Sequence, residues 1–167
     1  MNDAQRPCDR HPGTAQRRRL RGFSMIELLI AMGIGALLVG MGIPAMKSMV
    51  VNQRIKAAST DLYTSLMRTR SEALKRNTSV TMSPVTSSNW ADGWRIANPS
   101  GTPTYLEEHS SLSALTITGP SNVVFRSSGR VVGSTAPQFD ISATGSDLRR
   151  CVTVDLSGRP YVKSAAC

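Results

Sequence analysis

Arg21-Gly22-Phe23-Ser24-Met25-Ile26-Glu27-Leu28 opens the stretch that decides the fold, and the run it begins continues as LIAMGIGALLVGMGIPAM to Met46. The 24 residues from Phe23 to Met46 carry one charge, Glu27. As an α-helix rising about 1.5 Å per residue the run is roughly 36 Å long, enough to cross a bilayer. Arg17, Arg18, Arg19 and Arg21 crowd its N-terminal flank, and only Lys47 follows closely. Positive charge before the span keeps the N-terminus cytoplasmic and sends the rest across. An ordinary secretory signal has a shorter apolar core and a small-residue cleavage site, and neither is present. An uncleaved signal anchor is the plain alternative.

Glu27 is the informative residue. A carboxylate inside an apolar span is costly, less so near an end, and marks a functional position. It lies four residues after Phe23, one helical turn along the same face. A cut before Phe23 would create a new α-amino group near that turn, which the carboxylate could neutralise in its own chain or a neighbour's. The helix N-terminus favours the same negative charge. Gly22, Phe23 and Glu27 at this spacing, between a basic segment and an apolar one, resemble the signal of type IV prepilins and pseudopilins. The resemblance implies that a prepilin peptidase cuts after Gly22 and that the amine of Phe23 is methylated. Ser24 departs mildly from the threonine usual there. Pro44 lies 21 residues beyond Phe23, where many members of that family have a proline. It removes the hydrogen bond to the Gly40 carbonyl and bends or loosens a helix.

The helical period continues past Pro44. Ile55, Ala58, Leu62, Leu66, Thr69 and Ala73 recur at spacings of three and four, with charged residues mostly on other faces. Asn77 follows Lys75 and Arg76 as a C-terminal cap. Beyond it the signals are strand-like. Val80 and Met82 alternate with polar neighbours, Trp94 and Ile96 follow an expected Asp92-Gly93 turn, and Leu115 and Ile117 precede Gly119-Pro120. Two segments echo each other, Val123–Val132 and Val152–Val162, each placing Ser-Gly-Arg between strand-prone runs as a β-hairpin turn. Taking Ser157-Gly158 as a two-residue loop pairs Leu156 with Arg159 and sets Cys151 opposite Ser164. Pro160 then falls at a non-hydrogen-bonded pair, which suits an edge strand.

This half resembles the GspH/FimT group of minor pilins and pseudopilins, through Ser71–Arg76, Trp90–Trp94, Phe125–Val132 and Cys151–Cys167. The matches lean toward the FimT/FimU branch of the pilus machinery. The implied fold is α+β: a long N-terminal helix packed on antiparallel β-sheet. The expected organisation is a cleaved leader over 1–22, a transmembrane and filament-core helix over 23–46, its amphipathic continuation over 47–76, and a periplasmic β domain over 77–167. The expected location is the inner membrane, single-pass, and then the filament. The implied partners are other pilins and the prepilin peptidase.

Cys8 belongs to the leader, which leaves Cys151 and Cys167 as an even pair around the last strands. In an exported domain a disulfide is the default, and closing this 17-residue loop contributes roughly 3 kcal/mol. In a reducing compartment the same residues would stay thiols.

The formal net charge of +9 tempts a nucleic-acid reading. Nearly half of it lies in the leader, whose six arginines face only Asp3 and Asp9. What remains could contact DNA phosphates around the last hairpin through Arg149, Arg150, Arg159 and Lys163. FimT-group members are associated with that role, although Pro160-Tyr161 stands where a second arginine would strengthen the case. No catalytic constellation emerges, and no cofactor is expected. His109 is the only histidine after the leader, with Glu107 and Glu108 beside it, and reads as part of a solvated loop and not a metal site. Trp90 and Trp94 suit core packing better than stacking on a sugar or base.

The mature chain is expected to begin at a methylated Phe23. Mass spectrometry of protein extracted from membranes checks this, and an intact Met1 start in cells with active prepilin peptidase would refute it.

Overall fold

The computed structural model describes residues 22–167, so the leader apart from Gly22 lies outside it, as do the side chains at positions 39 and 41–45. The expectation about the Pro44 ring falls among these. The chain divides into two compact units, Met1–Gly40 and Met41–Cys167. In the first, helix α1 (Met25–Arg76) begins two residues after the expected cleavage point. The Ser24 carbonyl accepts the N–H of Leu28 at 3.2 Å, which makes Ser24 the N-cap residue. Large apolar side chains then project on every side: Phe23 is 82% and Met25 84% exposed, and Ile26, Leu29, Met32, Leu37 and Leu38 are exposed too. Among the described residues no helix is long and apolar enough to cross a membrane. The expected 23–46 span is therefore not present whole among them.

In the second unit α1 has one buried face. Ile55, Ala58, Leu62, Leu66, Thr69 and Ala73 are all fully buried, the six positions that the helical period selects. Thr69 stays satisfied there by donating its hydroxyl to the Ser65 carbonyl at 2.7 Å. The helix ends in a Schellman motif. Asn77 takes φ 50°, its N–H bonds the Leu74 carbonyl at 3.3 Å, and the N–H of Thr78 reaches Ala73 at 3.2 Å.

Eight short strands follow. β1 (Val80–Thr86), β2 (Asn89–Ala97), β3 (Tyr105–His109) and β5 (Val123–Phe125) form one antiparallel sheet in the order β3-β2-β1-β5. β4 (Thr116–Thr118), β6 (Gln138–Ser142), β7 (Arg150–Val154) and β8 (Pro160–Lys163) form the other, in the order β4-β6-β7-β8. Both sheets and the helix face share one core with Trp90, Trp94, Phe125, Phe139, Ile141 and Val152. Trp90 meets the Phe139 ring edge-on at 4.8 Å and donates its indole N–H to the Pro120 carbonyl at 2.7 Å. The tryptophans are core residues, and the fold is the helix on antiparallel sheet that the sequence implies.

Three local expectations need correction. Asp92-Gly93 is not a turn but lies inside β2. The register jumps from Pro84↔Trp94 to Thr86↔Asn89, so β2 bulges between them. Gly93 takes φ +97° there, and a Cβ on it would collide with the His109 carbonyl oxygen. The reversal falls instead at Ser87-Ser88, with Ser88 at φ 59°. Second, the Ser157-Gly158 loop contains three residues, not two, and the first Ser-Gly-Arg loop matches it. The N–H of Arg126 bonds the Arg130 carbonyl and that of Gly129 the Arg126 carbonyl, and Asp155, Gly158 and Arg159 repeat the pattern. Each is a turn closed by a left-handed glycine bulge, Gly129 at φ 74° and Gly158 at φ 85°. The extra residue shifts the register by one, so Cys151 faces Lys163 and Val154 faces Pro160. Pro160 still sits beside a hydrogen-bonded pair on an edge strand. Third, the return arm of the first hairpin makes only one bridge, Phe125↔Val131.

A Cβ on Gly158 would strike the Gly129 carbonyl oxygen, whereas one on Gly101 (φ +77°) meets open space. Gly158→Ala should therefore cost about 3 kcal/mol, combining left-handed strain and forced displacement, against about 1 kcal/mol for Gly101→Ala. Urea unfolding of the two variants checks the ordering.

Candidate functional site

At the N-terminal end, Gly22 is exposed with nothing within 4 Å of a Cβ built on it, and Phe23 projects freely. With Ser24 as N-cap, Glu27 occupies the third helical position, which is the S-x-x-E spacing of a capping box. By sequence alone Ser24 is a mild departure from the threonine usual in the prepilin pattern. Its structural position gives it a role: its carbonyl closes the first helical turn.

At the far end of the head, the two glycine turns lie against each other. Gly158 contacts the Gly129 backbone with no room for a side chain. Arg70 of α1 lies across both. Its Nη2 donates to the Ser157 carbonyl at 3.5 Å, and its Nε and Leu74 close over Gly129. That Nε is buried and has no hydrogen-bond partner in the structure. Asp155 fixes the second turn from inside by accepting the Ser157 hydroxyl at 2.6 Å and the Arg159 N–H at 2.9 Å. The Ser157 hydroxyl first, and the Arg159 N–H next, hold the Asp155 carboxyl below its ordinary pKa. The guanidiniums of Arg126, Arg130 and Arg159 are left exposed around this junction.

The four basic residues singled out for phosphate contact do not come together. Arg149 pairs with Asp140 at 3.5 Å, and Arg150 donates to the Ser164 hydroxyl at 2.7 Å. Lys163 faces Cys151 and lies over the Tyr161 ring at 5.4 Å, at that same end of β7 and β8. Arg159 stands at the opposite end, in the turn before Pro160, close to Arg130. Proximity in sequence misled here because a hairpin separates its turn from its open end. Arg70 and Arg130 carried no sequence signal for this junction beyond the repeated Ser-Gly-Arg.

His109 is not in a solvated loop. It ends β3, stacks on Trp94 with ring centroids 4.0 Å apart, and lies 3.6 Å from Asp61 of α1. Two residues before it, Glu107 accepts the Ser65 hydroxyl at 3.0 Å and pairs with Arg68 at 2.7 Å. These contacts tie β3 to the helix. Among the described residues no group of three or more His, Cys, Asp or Glu could hold a metal ion. Cys151 and Cys167 form a disulfide with Cα atoms 5.0 Å apart. The Cys167 N–H also reaches Asp140 at 3.4 Å, so the tail folds back on the outer side of β6 and β7.

A helix that begins in an exposed apolar segment and then packs one face under two antiparallel sheets has the architecture of a pilin-like subunit. Two family matches sharpen that class. The prokaryotic N-terminal methylation motif covers residues 17–43, and the family described as type II transport protein GspH covers residues 58–158. The chain belongs to the GspH family, whose members are minor pilins and pseudopilins of type IV pili and type II secretion systems. Among solved structures it is similar to the type IV minor pilin FimU of Pseudomonas aeruginosa. The identity is 24% and the TM-score 0.59, over 67% of this chain and 96% of that one. A second crystal form of FimU gives 23% and 0.61, over 69% and 93%. The minor pseudopilin EpsH of the Vibrio cholerae type 2 secretion system gives 15% and 0.53, over 66% and 97%. At these identities the likeness speaks for the fold. A search of curated proteins found no match.

The lowered pKa of Asp155 makes a signed prediction. A depressed carboxyl contributes stability above its unfolded value, about 3.9, and loses it as pH falls through the folded value. Asp155→Asn should destabilise the head at neutral pH, and the gap from wild type should close as pH drops below about 3.9. Urea titrations across pH check this, and a gap that widens in acid would contradict it.

Proposed function

We propose that the chain is a minor subunit of a type IV pilus, helping to initiate or cap the filament. It is made as a membrane-anchored precursor, trimmed after Gly22 and methylated at Phe23. The observation that carries the reading is the first unit's helix, which exposes apolar side chains on all sides and one acid, Glu27. A helix apolar all round needs a bilayer or other apolar helices about it. In either setting an unpaired carboxylate is costly, and a cationic N-terminus at the same helix end is its natural partner. The methylation motif over 17–43 supports processing by a prepilin peptidase and anchoring in the inner membrane. On this reading the 23–46 segment passes from bilayer to filament core, Pro44 loosens it, and the 47–76 segment carries the head on the periplasmic side. The Cys151–Cys167 bond staples the head's exposed end.

A pseudopilin of a type II secretion system is the second reading, favoured by the description of the matching family. Deleting the gene separates the two: lost piliation with normal secretion supports the first, the reverse supports the second. Nucleic-acid capture through Arg149, Arg150, Arg159 and Lys163 draws less support. Arg149 has a carboxylate partner, and Arg159 stands apart from the other three.

Glu27→Ala should leave membrane insertion intact, because removing a charge makes the segment more apolar. It should reduce entry into filaments by about tenfold or more, since the amine loses its counter-charge. Immunoblots of sheared filaments and of membranes check this, and normal incorporation would refute the role of Glu27.

A further inference from the structure

We propose that the junction of the two glycine turns is a docking surface for a different, acidic filament subunit. Its elements are Arg126 and Arg130 from the first turn, Arg159 and Leu156 from the second, and Arg70 and Leu74 from α1. The turns touch through the backbones of Gly129 and Gly158, and Arg70 and Leu74 pack over that contact. The arginines therefore stand on a rigid base. Arg126 and Arg130 are joined across their turn by a 2.8 Å backbone bond, so their side chains share one face of the hairpin. Leu74 is 49% and Leu156 38% exposed in the same place.

Charge complementarity fixes the occupant. Among the described residues no ion pair joins Arg70, Arg126, Arg130 or Arg159 to a carboxylate. The one acid in the junction, Asp155, is occupied by the Ser157 hydroxyl and the Arg159 N–H. The partner must bring carboxylates. A second copy of this chain is a poor source. Glu72, Glu107, Glu108 and Asp140 are already paired with arginines and Asp61 with His109, which leaves Asp92 and Asp147 as the head acids outside the junction with no ion pair among the described residues. The exposed leucines favour protein over nucleic acid. Arginine with aliphatic side chains in one patch is the composition of a protein interface, whereas a single-strand site would present aromatic rings for bases to stack on. None of the six residues named for this junction is aromatic.

The inference rests on the filament-subunit reading, and its test keeps the two apart. The full-length chain, with the photo-crosslinking residue p-benzoylphenylalanine at position 156, is expressed in its own host. Sheared filaments are then irradiated and the adduct is sequenced by mass spectrometry. The expected product joins position 156 to a peptide that contains Asp or Glu and comes from another subunit of the filament. Arg126→Glu with Arg159→Glu should lower its yield about tenfold or more, and Lys at both positions should largely restore it. Leu74→Ser, which leaves the sequence of both turns unchanged, should lower it too. Wild-type chain present in filaments with no adduct, or with adducts to its own copies alone, overturns the docking surface and leaves the filament reading standing. Wild-type chain absent from filaments removes both. A parallel anisotropy titration uses the detergent-solubilised full chain and a labelled single-stranded oligonucleotide. Salt-dependent binding lost in an Arg126→Gln, Arg130→Gln, Arg159→Gln variant would overturn the protein partner in favour of nucleic acid.

Discussion

The buried face of α1 is the constraint on which the head depends. Ile55, Ala58, Leu62, Leu66 and Ala73 remove their side chains fully from water, and both sheets close over them with Trp90, Trp94 and Phe139. Burying a large aliphatic side chain contributes about 1.5–3 kcal/mol. Six short strands of three to five residues each would be marginal alone; against the helix face they share one core. The ion pairs sit at the rim of this arrangement. Arg68 with Glu107 and Arg95 with Glu108 are partly exposed and set the position of β3 more than they add to stability.

The same face explains what the sequence could and could not disclose. The helix was legible to its last residue because a 3.6-residue period needs only spacing. Its cap was legible because Asn tolerates the left-handed conformation that Asn77 adopts. Most strands announced themselves through alternating apolar residues, but β3 and β6 are not among the strands expected from the sequence. Turns were harder. A left-handed glycine serves a two-residue loop and a three-residue bulged loop equally well, so Gly158 marked the hairpin without fixing its register. Asp92-Gly93 has turn composition, yet its glycine is there because the His109 carbonyl crowds the strand. The reversal it displaced is made by two serines, with no glycine to mark it.

The candidate sites divide along the same line. Gly22, Phe23 and Glu27 lie within six consecutive residues, so linear spacing alone brings them together, although Gly22 and Phe23 precede the helix that Glu27 belongs to. The basic residues of the last hairpin do not, because the chain passes along β7 and returns along β8 between them. Arg70 belongs to the helix, Arg130 to one turn and Arg159 to another. Only the contact between the two glycines brings them together, and such a contact leaves no periodic trace in the sequence. His109 escaped for a related reason: Trp94 and Asp61, which hold it, come from a different strand and from the helix.

The contact between Gly129 and Gly158 bears on how such a head can change over evolutionary time. Surface turns usually drift freely, gaining and losing residues because nothing rests on their tips. Here each tip is the other's support, so an insertion in one would lift it from its neighbour and uncover Arg70. Length variation among descendants of this chain is thus steered away from both turns. It is steered toward sites such as Gly101, between β2 and β3, which has open space around it. Two short loops far apart in the chain are inherited as one unit.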